Sequence, residues 1–452
     1  MKTKNYIVIL LLIITLVQIT SCSSDETVKE ASKTNAATAE IKIDVMEREY
    51  YLLAAIKEFN ETHKTIKINY DTVTRNDEYK NKYITELISG EGPDIIRIEP
   101  WLLSAVNKVA NSGILYDLNE VINKDKSFEM SDYNQKVLDE GIINGKRFFI
   151  PICYTFPTFY SRFEVLKENG IITEDSKWTL DYMADAATKF MQKNSNNGKC
   201  FMIYNGKFVF SSIVKISGLS LVDHEKKEAK FMSHEFIDLL DIYKKLYPAV
   251  KEKTKFTATS SGSGASKEIT SDCSELDNNT ALIMGNQEPL VWFRDGLNKK
   301  LNNYLFPQYT DKKNILIETV LSFAINSNST YKNEAYEFLK LVLSEKFQDN
   351  SIQDSFMLCI PVNNNAYFNN VNFYLRNLGN TQAVNGEYDA EKRKAQVKEQ
   401  YKEIQRISVC DTLDAQVYEI IDSEAKAFID EKYSAEKTAE IIQDKVMLYL
   451  NE

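Results

Sequence analysis

Apolar and polar residues alternate over Ile41-Lys42-Ile43-Asp44-Val45 and again over Ile66-Lys67-Ile68-Asn69-Tyr70, and between them Tyr51 to Phe59 carries apolar residues at helical spacing. Strand, helix and strand in this order make a βαβ unit. Glu78 to Ile88 repeats the helical period and stops at Ser89-Gly90-Glu91-Gly92-Pro93. The glycines permit a tight turn with positive φ, and the proline delivers the chain into the short apolar strand Asp94 to Ile98. This succession predicts a doubly wound α/β lobe, whose ligand sits beyond the carboxyl ends of the strands. Those ends are Met46-Glu47-Arg48 and Glu99-Pro100-Trp101. Helical patterns return over Leu180 to Met191, Glu235 to Tyr247 and Lys332 to Leu343, and from about Ala390 to Leu450 the chain reads as three helices. Strand patterns cover Ala281 to Met284 and Thr319 to Ile325, and the Gly/Ser-rich Thr254 to Asp272 reads as a mobile surface loop.

A different pattern opens the chain. Tyr6 to Val17 is almost wholly apolar, follows Lys2 and Lys4, and is too short to cross a bilayer comfortably, which is the form of a secretory signal. It ends Ile19-Thr20-Ser21-Cys22, which resembles a bacterial lipobox. That resemblance implies removal of residues 1–21 and lipidation of Cys22, whose two acyl chains would give a stable anchor at the outer face of the cell membrane. The alternative is an unlipidated signal cleaved nearby. Residues 22–40 then form the lipidated cysteine and a tether, since Ser23 to Glu40 has no apolar period. No second apolar stretch approaches a membrane span; Ile315 to Ile325 is short, is interrupted by Glu318 and Thr319, and reads as a buried strand.

The 452 residues, 43% of them hydrophobic, support one large or two medium cores. The formal charge of −10 becomes about −12 once Lys2 and Lys4 leave with the signal, and an acidic chain is a poor partner for nucleic acid. Beyond Cys22 stand Cys153, Cys200, Cys273, Cys359 and Cys410, with no C-x-x-C. An exported location permits one disulfide without requiring it, and buried single thiols are the expectation for most of them. His63, His224 and His234 include no H-E-x-x-H, and their scarcity argues against a transition-metal receptor; no cofactor or metal is expected. "GSGAS" (262–266) is not G-x-S-x-G, and "GIINGKR" (141–147) lacks both the spacing and the hydroxyl of a P-loop. Nothing singles out a glycosidase pair among the carboxylates.

Four stretches in one order carry a family likeness: "SGEGPDIIRIEP" (89–100), "SGILYDLNEVI" (112–122), "GKRFFIPICYTFPTFYSRFEVLKENGI" (145–171) and "TVLSFAINSNSTYKNEAYEFLKLVLSEKFQ" (319–348). Together the set resembles the family 1 extracellular solute-binding proteins of ABC importers. The resemblance implies an α/β, two-lobed, periplasmic-binding-protein-like fold with hinge strands between discontinuous lobes, an N-terminal lobe from 41–150 plus about 300–355 and a C-terminal lobe from 151–299 plus about 356–452. Three crossings would fall near Phe148 to Ile152, Gly285 to Leu305 and Cys359 to Val362. The implied partners are a small ligand, a mono- or oligosaccharide first, and the permease subunits of an ABC transporter. The lobes would close on the ligand by hinge bending. A monomer that binds without chemistry is expected. A lipoprotein reporting ligand to a membrane sensor and a lipid-anchored glycan hydrolase are the alternatives.

Sugar sites pair aromatic rings with carboxylates and amides. Positions matching the family's cleft are Glu99 and Trp101 after the GPD strand, Tyr154 and Phe156 past the first crossing, Gln287, Glu288 and Trp292 after the "TALIM" strand, and Glu47 after the first strand. Where better-known members carry an aromatic residue near the Gly285 turn, Gln287 and Glu288 stand instead. Trp101 could equally pack on its own lobe and Trp292 in a core, while Trp178 beside the N-cap candidate Thr179 and Asp94 at its strand start read as structural. Tyr154, Phe156 and Phe159 alternate in direction around Pro157, so one or two of them at most can face a cleft.

Overall fold

The apolar half of the first alternating stretch, Ile41, Ile43 and Val45, is fully buried while Lys42 faces solvent, so β1 (Ala39–Met46) lies with one side on a core. The computed structural model describes residues 38–155, 157–172, 178–194, 198–253, 280–286, 301–305, 315–349, 359–378, 408–410 and 414–452. The signal, Cys22, most of the tether and the Thr254 to Asp272 segment lie outside the described residues. Helix α1 (Tyr50–Thr62) buries Leu52, Ala55, Ile56 and Phe59, the single stripe that a 3.6-residue period allows. Strand β2 (Ile66–Val73) pairs parallel to β1. Asn76 caps α2 (Asp77–Ser89) by accepting the Tyr79 N–H at 2.8 Å, and the helix stops at Gly90 with φ 80°. A side chain at Gly90 would be strained there and would also meet Asn328 Nδ2 at 2.7 Å. Strand β3 (Ile95–Ile98), buried throughout, then pairs parallel to the other side of β1. Asp94 is structural, as expected, accepting from the Lys42 N–H and from Ser329 Oγ.

The chain continues through α3 (Val106–Asn111), β4 (Phe149–Thr155), β5 (Pro157–Arg162), α4 (Leu180–Asn194), β6 (Cys200–Asn205), α5 (Phe210–Ser217), α6 (His234–Leu246), β7 (Val250–Lys253), β8 (Thr280–Asn286) and β9 (Leu301–Leu305). It returns through β10 (Ile315–Ile325), α7 (Lys332–Leu343), β11 (Ile360–Pro361), α8 (Asn364–Leu378), β12 (Ser408–Cys410), α9 (Ala415–Ile429) and α10 (Ala435–Asn451). One sheet runs β11-β4-β10-β3-β1-β2 with β12 against β10; the second runs β7-β6-β8-β5-β9. Apolar clusters cover both faces of the first sheet, one holding Phe59, Phe323 and Phe338, the other Tyr83, Leu87, Ile96 and Phe148. The second sheet has its own core of Leu180, Phe201, Phe210 and Phe236, completed by Val417, Ile421 and Val446 from the end of the chain. This is the expected two-lobed fold.

Several boundaries differ from the sequence expectation. Leu301–Leu305 pairs with β5, so the second passage between sheets falls between Leu305 and Ile315 rather than within Gly285 to Leu305. Cys359 to Val362 is no passage to the second lobe: Ile360 and Pro361 pair with β4, and Ile360, Val362 and Tyr367 lie in the first core. Among the described residues of 356–452, those of the second core come from α9 and α10, so the segment is shared between the lobes. Cys153 and Cys359, 206 residues apart, form a disulfide with Cα atoms 5.7 Å apart, the one pairing that an exported location permits without requiring it. Trp178 packs in the second core, as its place beside Thr179 suggests.

Candidate functional site

At the carboxyl ends of β1 and β3 the first sheet changes direction, with neighbours on opposite sides starting from β1. Here Arg97 stands in β3 and Glu99 is the first residue past its end. The Arg97 guanidinium, 1% exposed, donates through Nη1 to Glu49 Oε1 at 3.0 Å and to Glu99 Oε1 at 2.5 Å, and through Nη2 to Glu49 Oε2. Burial opposes its charge, but the two carboxylates outweigh burial and its pKa is raised. The second oxygen of Glu99 accepts the Trp101 Nε1–H at 2.5 Å. Trp101 leans on its own lobe, with the Arg75 guanidinium 4.5 Å above the ring.

Glu99 lines a cavity of about 280 Å³, near the lower end of the ~300–1,000 Å³ usual for small-ligand sites. Ile98, Pro100, Leu103 and Asn107 continue its first-lobe wall; Phe149 and the Glu318–Thr319 pair of β10 contribute from the connecting strands; Ser211, Lys215, Asp414 and Tyr418 face them from the second lobe. Lys215 pairs with Glu318 at 2.5 Å, and its ammonium lies 4.7 Å from the centre of the Tyr418 ring. Thr319 Oγ1 donates to Glu140 at 3.1 Å. Asp414 stands at the start of α9, yet its carboxylate does not cap that helix. It accepts from the Asn107 backbone N–H (3.2 Å) and Nδ2 (3.0 Å) across the lobes, and from the Tyr449 hydroxyl at 2.7 Å. Asp422 of α9 accepts from Ser211 N and Oγ at 2.7 and 2.8 Å, fixing the first turn of α5; burial raises the pKa of Asp422 although Ser211 opposes this. The cavity therefore offers an aromatic face, hydroxyls, carboxylates and one ammonium, a set suited to a polar, hydroxyl-rich ligand.

Of the residues expected from the sequence, Glu99 lines this cavity and Trp101 holds Glu99 from beside it. Glu47 is exposed and accepts from Thr74 Oγ1 at 2.7 Å, outside the cavity lining. Tyr154 is corrected: it is fully buried in the first core, with Asn134 Nδ2 3.3 Å from its hydroxyl, because β4 is covered on both faces along its whole length. Phe156, Gln287, Glu288 and Trp292 lie outside the described residues. The residues that sequence reasoning passed over are Lys215, Glu318, Asp414 and Tyr418. One signal was present: Glu318 and Thr319 interrupt a mostly apolar strand, and a polar pair inside such a run marks a place where that strand meets a cavity.

The family model for bacterial extracellular solute-binding proteins matches residues 44–349. The chain belongs to that family. This solute-binding protein has no match among curated protein sequences. Many solved structures share its fold. An ABC substrate-binding protein from Listeria monocytogenes in complex with cycloalternan has a TM-score of 0.63 at 15% identity, over 92% of this chain and 99% of that one. The cyclic alpha-maltosyl-1,6-maltose binding protein from Arthrobacter globiformis gives 0.63 at 16%, over 92% and 99%. The sugar-binding protein MalE from Xanthomonas citri gives 0.66 at 12%, over 91% and 98%. Among the described residues of this solute-binding protein, no helix is long and apolar enough to cross a membrane, and no group of three or more His, Cys, Asp or Glu could hold a metal ion.

Proposed function

We propose that this protein captures a mono- or oligosaccharide between its lobes and delivers it to the permease of an ABC importer. The observation that carries the reading is the cavity itself: in a chain of the solute-binding family, both lobes supply its walls, with Glu99 on one side and Tyr418 and Asp414 on the other. The same fold in a protein in complex with cycloalternan, in a cyclic alpha-maltosyl-1,6-maltose binding protein and in a sugar-binding protein supports the substrate class. Ligand favours the closed arrangement because only there do both walls touch it, and the permease recognises that arrangement. Lipid on Cys22 keeps the domain beside its transporter. The protein binds and releases without chemistry.

A thermal-shift screen of the chain from Ser23 onward with sugars, peptides and polyamines at millimolar concentration tests this. A ligand at about 100 times its Kd adds roughly 2.7 kcal/mol, enough to move Tm by several degrees. A sugar that raises Tm and is recovered intact is the expected result. A degraded sugar would replace the binding reading with hydrolysis, and a shift from another class with none from sugars would overturn the substrate.

A further inference from the structure

A guanidinium buried as deeply as that of Arg97 is costly, and an apolar side chain of similar volume is often neutral or stabilising in such a place. What it holds gives it a reason to be there. Its two carboxylate partners come from different loops on the ligand side of the first sheet. Glu99 follows β3 and lines the cavity, whereas Glu49 follows β1, accepts the Met46 N–H at 2.9 Å, and offers its own carbonyl to the first turn of α1. The Arg97 N–H donates to the Tyr83 hydroxyl at 2.7 Å, and its guanidinium lies 5.6 Å from the centre of the Phe323 ring, so strand, helix and neighbouring strand all restrain it. Arg97 itself is not among the residues lining the cavity.

We infer that Arg97 is a positioning residue: it sets the rotamer of Glu99 on the cavity wall and couples that wall to the turn after β1, without touching the ligand. The inference rests on the reading of the cavity as the ligand site. Trp101 reports on it directly, because its indole N–H bonds the Glu99 oxygen that Arg97 leaves over. Lysine cannot take the place of the planar fork, since a point charge does not bridge Glu49 bidentately while also meeting Glu99.

The test is fluorine NMR of the protein carrying 5-fluorotryptophan at its three tryptophans, with the Trp101 line assigned by its loss in W101F. The variants are R97K, R97M and E49Q/R97M, the last removing one carboxylate with the cation so that a folded chain is obtained even if R97M alone fails to fold. The expected result is a Trp101 line displaced by more than its width in E49Q/R97M, displaced less in R97K, and a Trp178 line in the second core unmoved in both. A Trp101 line unchanged in folded E49Q/R97M would overturn the inference and leave Arg97 a packing residue. Because no sugar enters the measurement, its failure is separable from a failure of the sugar reading, which the thermal-shift screen decides alone.

Discussion

The two walls of the cavity hold charge in opposite ways. On the first-lobe side Arg97 is sealed at 1% exposure between Glu49 and Glu99, whereas Lys215 of the second lobe meets Glu318 of the connecting strand β10 with 31% and 27% of their side chains exposed. A desolvated network is decided when the chain folds, since breaking it strands a charge in low dielectric. A partly exposed pair is screened by water and salt, and exchanges partners at little cost. The comparison teaches that the first wall is a preformed template and the second is adjustable, able to give up Lys215–Glu318 contacts in favour of a ligand.

Replacing Arg97 alone is the most severe way to break this contrast. R97M leaves Glu49 and Glu99 facing each other unneutralised and should cost roughly 3–5 kcal/mol in urea unfolding, with most of that recovered in E49Q/R97M; a melt like wild type would mean the first wall is not set by charge. Next in size, E99A should weaken sugar binding about ten-fold, or about 1.4 kcal/mol, by calorimetry without unfolding the domain. W101A should lose less, because Trp101 acts through Glu99, and equal affinity in both variants and wild type would move the ligand elsewhere. N107A removes the side-chain donor that Asp414 receives across the lobes and should lower sugar affinity by about 1 kcal/mol, the net value of one hydrogen bond. A change in Tm of the free protein without any change in affinity would show that contact to be indifferent to closure. The smallest effect belongs to the adjustable wall: K215M should change stability by no more than ~1 kcal/mol, and the difference should shrink further in 1 M salt. A loss like that of R97M would erase the distinction between the walls.

Much of this was legible in the chain. The alternation at Ile41 to Val45, the helical stripe from Leu52 to Phe59 and the stop at Gly90 each express a local rule, and each appears as read. Glu99 could be found for the same reason: the carboxyl end of a strand is a position in sequence as well as in space. Tyr154 was not distinguishable from a cleft residue because a period of two assigns a side but not what covers it, and β4 is covered on both. The second wall was harder still. Lys215 comes from the first passage through the second lobe, Asp414 and Tyr418 join the cavity only after the chain has left that lobe and re-entered it, and no local pattern encodes a contact such as Asn107 to Asp414, 307 residues apart. Arg97 passed unremarked inside a short apolar strand, and its partner Glu49 is 48 residues away.

The Cys153–Cys359 bond changes what kind of object the chain is. It joins residues 206 apart in sequence into a covalent ring that contains every described strand of the second sheet, while both of its anchor points belong to the first. In a chain-entropy account, closing a loop of that length deprives the unfolded state of freedom worth about 5 kcal/mol. The ring also lets β11 meet β4 as neighbours rather than as ends of a long diffusive search, which matters for a sheet edge completed so late in the sequence. Oxidised and reduced chains of identical sequence are thus different polymers, one a ring with two tails and the other a line, and an oxidising compartment is where the ring persists.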